Sequence, residues 1–534
     1  MTTISFVNTG SYTYNVEKKR FADPVHLVAM HNICGQAGHL SDIFQLGYPD
    51  PETSIQTIYN FRPTVLALSF IEICDDDLDL TQKLLQQFKN KGFSLFIGGS
   101  DVDLQLDLYL SIFEPKSPEE WRCVFLVQGY GEPFISAIAH YNLDPEHPQA
   151  QKNLQNLGIV LHKKNSVSIV RSLLPLSLNS QIYTRDYDIE PFAKKFAVKW
   201  ATGCWGTCRF CYNFSRQLDY KQPSLAAAET AHLIVLGAKY IDIASPQFTA
   251  HPDHASAILA ALPPNTPSLS FTTRVDSLYY ALQKHPDIWK NATNIIHQID
   301  LGIESFIPER LVKMGKYRNL KQAQTQDVRL INILNFFLHT QVIFNLYIIS
   351  LDWQMNLFEA EKEARGILFY LNRYPRTIRI LPDQIGDILV FSKGSSYSQG
   401  RTTIDFLCFQ KDPRLLLLHY TAKLIAERMF YAAQFLSEPH ALLMETIARA
   451  LAKSYLRFIQ LLQTFSHDII DLNLALPILK RFFSIQEVWQ NLVDLMPNTT
   501  KRKINKWIKQ ETAHLERTLM REMDELLKQK VLSS

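Results

Sequence analysis

The chain has 534 residues, which at roughly 150 per domain argues for about three or four units. A hydrophobic share of 46% is enough to build sizeable cores and argues against a disordered chain. A net charge of +3 is too mild to mark a nucleic-acid binder.

Seven cysteines are present. Cys34, Cys74, Cys123 and Cys408 are scattered without the spacing of a disulfide framework, which fits a reducing compartment. Met1-Thr-Thr-Ile-Ser has no basic stretch followed by an apolar one, so no secretory leader is expected. No uncharged apolar run is long enough to cross a bilayer. The expectation is a soluble, cytoplasmic protein with no transmembrane segment.

From Val25 to about Tyr141 short apolar runs alternate with helical patterns. Val25–Met30, Thr64–Phe70, Phe93–Ile97 and Val124–Gln128 read as buried strands; Leu80–Phe88 and Pro133–Tyr141 read as helices. That alternation predicts a parallel sheet covered on both faces, with ligands beyond the strand carboxyl ends. The loops there hold His31 to Asp42, Ser69-Phe70, Gly98-Gly99-Ser100 and Gly129-Tyr-Gly-Glu132. Glycine lets backbone approach a flat or bulky ligand closely. Asp75, Asp76, Asp77 and Asp79 are read as carboxylates at a helix N-terminus rather than as a cation site.

Residues 143–191 are read as a connector with a short hairpin, Ile159–His162 and Ser166–Val170. The central part, 192–390, contains six strand candidates: Phe196–Trp200, Tyr240–Ser245, Leu269–Arg274, Ile295–Leu301, Val342–Ile349 and Thr377–Leu381. A helix from Leu225 to Leu236 follows Ser224 as its expected N-cap. His251 and His254 are read as the start of the helix after Pro252. From about 391 onward the pattern is helical: Leu415–Gln434, Glu438–Phe465, Ile485–Met496 and Lys501–Gln529. Arg502, Lys503, Lys506 and Lys509 in that tail are read as a solvated helix face.

The most informative stretch is Trp200-Ala-Thr-Gly-Cys-Trp-Gly-Thr-Cys-Arg-Phe-Cys-Tyr212. Its thiols, Cys204, Cys208 and Cys211, are soft ligands suited to iron–sulfur clusters or zinc. A closed zinc site wants four protein ligands, and no fourth cysteine follows nearby. Three thiolates on a cubane cluster leave one iron open. A non-catalytic iron–sulfur site, or a zinc site with a distant fourth ligand, is the alternative.

With Phe210 just before the last cysteine, this spacing resembles the radical S-adenosylmethionine (SAM) enzymes. The glycine loops resemble the cobalamin-binding domain that precedes the barrel in one large group of them. The resemblance covers about residues 20–390. It implies an α/β chain: a Rossmann-like cobalamin-binding-type domain over 1–142, the connector, a partial (β/α)6 radical SAM barrel over 192–390, and an α-helical domain over 391–534. It implies a [4Fe-4S] cluster on Cys204, Cys208 and Cys211, SAM beside Phe210, Ser245, Gln247, Arg274, Glu304 and Ser305, and cobalamin beside Ser69, Gly98, Gly99, Gly129, Gly131 and Glu132.

The segment Gly302-Ile-Glu304-Ser305 resembles the family's fourth-strand motif. Glu304 is also open to a helix-capping role. Arg274 is open either to a SAM carboxylate or to an internal pair with Asp276. Ala244-Ser245-Pro246-Gln247 stands where many members carry Gly-Gly-Glu, and the fifth strand lacks a glycine-rich adenine motif. His31-Asn-Ile-Cys34-Gly35 departs from the Asp-x-His-x-x-Gly cobalt-ligating pattern, so His31 and His39 are candidates only by position. The implied chemistry is reductive cleavage of SAM to a 5′-deoxyadenosyl radical, with carbon methylation as the leading outcome. A rearrangement or cyclisation is the runner-up. Implied partners are a small-molecule or peptide substrate and an electron donor such as flavodoxin or ferredoxin, without nucleic acid.

Overall fold

The computed structural model describes residues 2–9, 25–183 and 195–385, apart from short breaks, together with 440–464 and isolated positions between 412 and 422. Two compact units divide the chain. The first comprises Met1–Trp205, Asn213–Thr272 and Asp287–Ile295; the second comprises Gly206–Tyr212, Thr273–Pro286 and Ile296–Ser534.

A seven-stranded sheet organises the beginning of the first unit. Its strands are β1 (Thr3–Asn8), β2 (Leu40–Gln45), β3 (Val65–Ser69), β4 (Ser94–Gly98), β5 (Cys123–Gly129), β6 (Val160–Lys164) and β7 (Val167–Ser172), in the order β2-β1-β3-β4-β5-β7-β6. All neighbours are parallel except β6 and β7, the antiparallel hairpin. Helices α1 (Val25–Gln36), α2 (Pro51–Asn60), α3 (Asp75–Phe88), α4 (Leu106–Phe113), α5 (Gly131–Ile138) and α6 (Pro148–Asn156) link the strands.

The strands are apolar throughout because both faces are buried, and successive residues still alternate between two cores. Phe6, Val65, Ala67, Phe96, Phe125 and Val127 belong to one core. Val7, Leu66, Leu68, Leu95, Ile97 and Leu126 belong to the other. Each buried Val, Leu, Ile or Phe side chain contributes about 1.5–3 kcal/mol of transfer free energy.

Three readings of this part change. Val25–Met30 is the first turns of α1, not a strand; Leu27, Val28, Ala29 and Met30 are all buried. A short apolar run without amphipathic contrast does not distinguish a buried helix from a buried strand. Two strands were not read: β1, five of whose six residues are buried, and the edge strand β2, which begins within the stretch His31 to Asp42 read as a loop. The hairpin of the connector joins the sheet through β7, which pairs with β5 from Val124↔Val167 to Gly129↔Ser172. Helix α3 does begin at Asp75.

The six strands expected in the central part are all present. The first unit holds β8 (Lys195–Val198), the two-residue strands β9 (Ala201–Thr202) and β10 (Asp219–Tyr220), then β11 (Tyr240–Ile243) and β12 (Ser268–Arg274), whose last two residues fall in the second unit. Strand β11 pairs in parallel with both β8 and β12. Helices α7 (Pro223–Val235) and α8 (Pro252–Ala261) follow β10 and β11. Gln222, not Ser224, occupies the N-cap of α7, because the helix starts at Pro223.

The second unit holds α9 (Val275–Lys284), β13 (Ile296–Glu304), α10 (Pro308–Lys313), α11 (Leu320–Phe336), β14 (Ile343–Ile348), α12 (Leu357–Arg373), β15 (Ile378–Arg379) and α13 (His440–Leu462). Strands β13, β14 and β15 run parallel. Helix α13 matches the helix read over Glu438–Phe465. The helices read over Ile485–Met496 and Lys501–Gln529, with their basic run, lie outside the described residues, as do Cys74 and Cys408; so does most of Leu415–Gln434. No described helix is long and apolar enough to cross a membrane.

A buried ionic network ties α10 to α12. Arg310 pairs with Glu363 and, at 2.7 Å, with Asp352, and all three side chains are essentially inaccessible. Arg310 Nη2 also donates to the Ile349 carbonyl at 3.0 Å. Removing one member of such a network leaves charge buried without its partner and costs about 3–5 kcal/mol. Arg310→Met is therefore expected to lower the unfolding free energy by about that amount. Urea unfolding followed by circular dichroism checks this.

Candidate functional site

The seven-stranded sheet reverses its winding between β1 and β3, since β2 lies on one side of β1 and β3 on the other. Ligands of open α/β sheets sit at such a switch point, beyond the strand carboxyl ends. A cavity of about 310 Å³ opens there. Its wall includes Phe6 of β1, Ser69 of β3, Gly98 and Gly99 after β4, and Gly129, Gly131 and Glu132 after β5. All six residues assigned to cobalamin by resemblance thus line one cavity.

Two of these glycines are fixed by geometry. Gly99 has φ +115, and a Cβ there would stand 2.0 Å from the Phe70 carbonyl oxygen. Gly129 has φ +86, and its Cβ would meet the Ser172 oxygen at 2.2 Å. Neither position accepts a side chain, so the loops stay open over the strand ends.

Three polar groups of the cavity, His26, Asp103 and Lys199, were not singled out in the sequence. His26, near the start of α1, exchanges a 2.9 Å hydrogen bond between its Nε2 and Ser69 Oγ. Burial pushes its imidazole down to about 4, opposed by nearby Glu132 and reinforced by Lys199. Asp103 Oδ1 accepts a 2.7 Å bond from the Gly129 N–H. Burial pushes this carboxyl up to about 6 against that bond. Lys199, just after β8, reaches Glu132 at 3.8 Å and lies 5.7 Å above the Tyr130 ring. By contrast, His31 Nδ1 pairs with Ser41 Oγ at 2.9 Å, and His39 Nε2 meets the Ala139 carbonyl. Neither lines the cavity, so the histidine of this site is His26.

The cysteine stretch begins in the first unit. Glu229 accepts from Trp200 Nε1 at 2.9 Å, Lys221 Nζ at 2.8 Å and the Tyr183 N–H at 2.9 Å, which fixes Trp200 in place. Gly203 has φ +80, and a Cβ would stand 2.0 Å from the Gln217 oxygen. Cys204 Sγ then donates to Gln247 Oε1 at 2.7 Å. Gln247 is fully buried, and its N–H donates to Ser245 Oγ at 3.3 Å. Tyr220, its phenol pushed up to about 12 chiefly by burial, stacks on His254 and accepts from the His251 N–H at 2.8 Å. His251 occupies the N-cap position of α8, and His254 lies in its first turn, as expected of a helix start.

The second half of the stretch belongs to the second unit and rests on the turn after α10. Arg209 N–H donates to the Met314 carbonyl at 2.8 Å. Thr207 Oγ1 donates to the Gly315 carbonyl at 3.2 Å. Gly315 has φ +71, and a Cβ would meet the Thr207 oxygen at 2.9 Å. Phe210 packs on Met314 and Ile349.

Arg274 lies beside Cys208, its Nη1 donating to the sulfur at 3.3 Å. Asp276 takes the opposite edge of the guanidinium, at 3.1 Å to Nε and 3.2 Å to Nη2. Nη2 also donates to the Lys316 carbonyl at 2.8 Å. The fork offered by sequence to a SAM carboxylate is therefore engaged by Asp276.

Glu304 sits at a register shift between β13 and β14 with φ +65, a conformation side chains rarely adopt. Lys316 Nζ holds it at 3.3 Å and also donates to the Gly302 carbonyl. Burial lowers the Lys316 ammonium, against the pull of Glu304. Backbone strain of this kind collects at functional sites. Ser305 is different: its hydroxyl is fully buried against Glu363, and the adjacent Phe306 N–H donates to the same carboxylate at 2.9 Å. It belongs to the ionic network.

Among the described residues no three His, Cys, Asp or Glu side chains converge as a ready-made metal site. The donor chemistry nonetheless suits a cluster. Three thiols lie within eight residues, and Cys208 already receives a charged hydrogen bond. Cys34 and Cys123 have no such setting; burial pushes the Cys34 thiol up to about 12 and raises that of Cys123.

The structural neighbours are cobalamin-dependent radical SAM enzymes. One is OxsB with aqua-cobalamin and S-adenosylmethionine bound, 12% identical, with a TM-score of 0.65 over 98% of this chain and 84% of that one. Another is the radical SAM methyltransferase TsrM from Kitasatospora setae with cobalamin and a [4Fe-4S] cluster, 12% identical, TM-score 0.53, covering 71% of this chain and 75% of that one. At that identity the likeness is one of fold: a mixed α/β chain with parallel sheet. No protein-family model matches the chain, and a search of curated proteins returns no match.

The two shifted groups of the cavity act in opposite senses on acidification. Between its ordinary 6.5 and about 4, His26 takes up a proton only when unfolded, so stability falls as pH drops through that window. Between about 6 and its ordinary 3.8, Asp103 holds a proton only when folded, so stability rises as pH drops. The loss of unfolding free energy from about pH 7 to about pH 5 should shrink in His26→Gln and grow in Asp103→Asn. Urea titrations at the two pH values measure both.

Proposed function

We propose that the chain is a cobalamin-type radical SAM enzyme acting as a methyltransferase on an unactivated carbon. The observation that carries this reading is the cavity at the sheet switch point, walled by six residues the resemblance assigned to cobalamin, in a chain that also bears the three-cysteine loop. Fold likeness to OxsB over nearly the whole chain supports it.

The residues suit the groups. The cavity is large enough for a drug-sized part of a ligand, so a corrin would be partly enclosed. Gly98, Gly99 and Gly129 leave backbone against its flat face. His26 is neutral at physiological pH, Glu132 is paired with Lys199 and Asp103 is bonded to the Gly129 N–H, so the wall offers hydrogen-bonding groups suited to a corrin's amide side chains. Cys204, Cys208 and Cys211 would hold a [4Fe-4S] cluster as thiolates, and Gln247 would retain its contact to Cys204 by presenting its amide N–H. Glu304, held by Lys316, would by resemblance contact a polar group of SAM.

When bound, the reduced cluster supplies the electron that cleaves SAM, and cobalamin supplies the methyl group. The chain's task is position and dryness. Phe210 against Met314 and Ile349 walls the loop, and Gly203 and Gly315 hold its course. The substrate would be a small molecule or peptide, and flavodoxin or ferredoxin would serve as electron donor. A second reading is a radical rearrangement or cyclisation, since the broader match is to OxsB, a cobalamin-dependent SAM radical enzyme.

Protein reconstituted anaerobically with iron, sulfide and hydroxocobalamin is expected to release 5′-deoxyadenosine from SAM under dithionite. Cys208→Ala should lose both the brown absorbance and this product; retention of both would overturn the cluster assignment. Mass spectrometry of the organic products distinguishes methyl transfer from isomerisation. A Cβ at Gly98 makes only ordinary contact, 3.5 Å from Val127. Gly98→Ala should therefore keep hydroxocobalamin, whereas Gly98→Leu should weaken its retention at least about tenfold, as read by gel filtration and absorbance.

A further inference from the structure

We propose that Arg274 tunes the reduction potential of the cluster through its hydrogen bond to Cys208. The proposal rests on the cluster reading above, and it gives Arg274 a role other than the SAM contact implied by resemblance.

The geometry is specific. Arg274 is 6% exposed, and its guanidinium is immobilised on three sides: Asp276 on Nε and Nη2, the Lys316 carbonyl on Nη2, and the Tyr317 ring 5.7 Å away. What remains is Nη1, which donates to Cys208 Sγ at 3.3 Å. Asp276 is itself fixed, because its Oδ1 also accepts from the Ser277 N–H at the start of α9. A guanidinium anchored this way presents one N–H to one sulfur and does not follow a moving ligand.

Hydrogen bonds to cluster sulfurs, local charge and burial are the levers by which a protein sets an iron–sulfur potential. Adding one electron raises the negative charge on the sulfurs, so a fixed N–H donor stabilises the reduced state more than the oxidised one. Arg274 thus makes the cluster easier to reduce by an external one-electron donor. Asp276 opposes the guanidinium charge, so the effect rests mainly on the directed N–H, with Asp276 as the orienting group. Lys316, the second cation near Cys208, is already paired with Glu304.

The test is a redox titration of the reconstituted holoprotein followed by electron paramagnetic resonance, without SAM or substrate. Arg274→Met is expected to keep its iron and sulfide content and to move the midpoint to a more negative potential. Arg274→Lys, retaining charge without the fork, should fall between it and the unaltered protein. Asp276→Asn should move the midpoint in the positive direction, because a negative charge is removed. An unchanged midpoint in Arg274→Met with full cluster content overturns the proposal. So does loss of the cluster in both Arg274 variants with folding intact by circular dichroism, which would make Arg274 a scaffold. Failure of the unaltered protein to assemble a redox-active cluster is a different result and overturns the functional reading itself.

Discussion

The cysteine loop is anchored largely by groups other than its sulfurs. On one side Gly203 lies against the Gln217 carbonyl with no room for a methyl group. On the other, Arg209 and Thr207 bond to Met314 and Gly315, where a side chain at Gly315 would again collide. Thiols are weak hydrogen-bonding groups and contribute little to the shape of a loop. The folding energy for such a loop must come from elsewhere, here from glycine-permitted close approaches and from the Glu229 network that secures Trp200.

The same logic explains the division between ligand walls and buried polar networks. Arg310, Glu363, Asp352 and Ser305 bond to one another in the interior, so they fix α10 against α12. Glu304, one residue before Ser305, is strained, half-buried and held by a single lysine. Adjacent positions of one motif therefore serve different ends, and only the contacts reveal which. A carboxylate with one partner can exchange it; one within a closed network cannot without leaving charge buried.

Legibility in the sequence followed the strength of each local signal. Strands β3, β4 and β5 and the six central strands were readable because apolar runs of that length end at glycine or polar loops. The loops after β4 and β5 were readable because Gly99 and Gly129 tolerate no other residue. Strand β2, Leu40–Gln45, lies at the sheet edge with one buried residue in six, so it carries no pattern. Helix α1 is apolar all round where it enters the core, which erases the period that marks a helix. His26 was lost with it: a histidine inside a supposed strand gives no reason to look for Ser69, which is 43 positions away.

That last distance carries a general point about the cavity. Its titratable groups come from four separate places: His26 from α1, Asp103 after β4, Glu132 from α5 and Lys199 after β8. None lies in a motif with another apart from the glycine loops. The shifted proton affinities of His26 and Asp103 arise chiefly from burial, and burial is a property of the assembled sheet rather than of any segment. Glycines announce where backbone must pass close; they say nothing of which charges the fold will bring above them. A cavity whose wall keeps its histidine neutral and its lysine paired at ordinary pH is suited to a large ligand edged with neutral polar groups, and disfavours a phosphate-rich one, because Asp103 and Glu132 would both face it. Glycine loops at strand ends fit either kind of ligand; the charges around them decide.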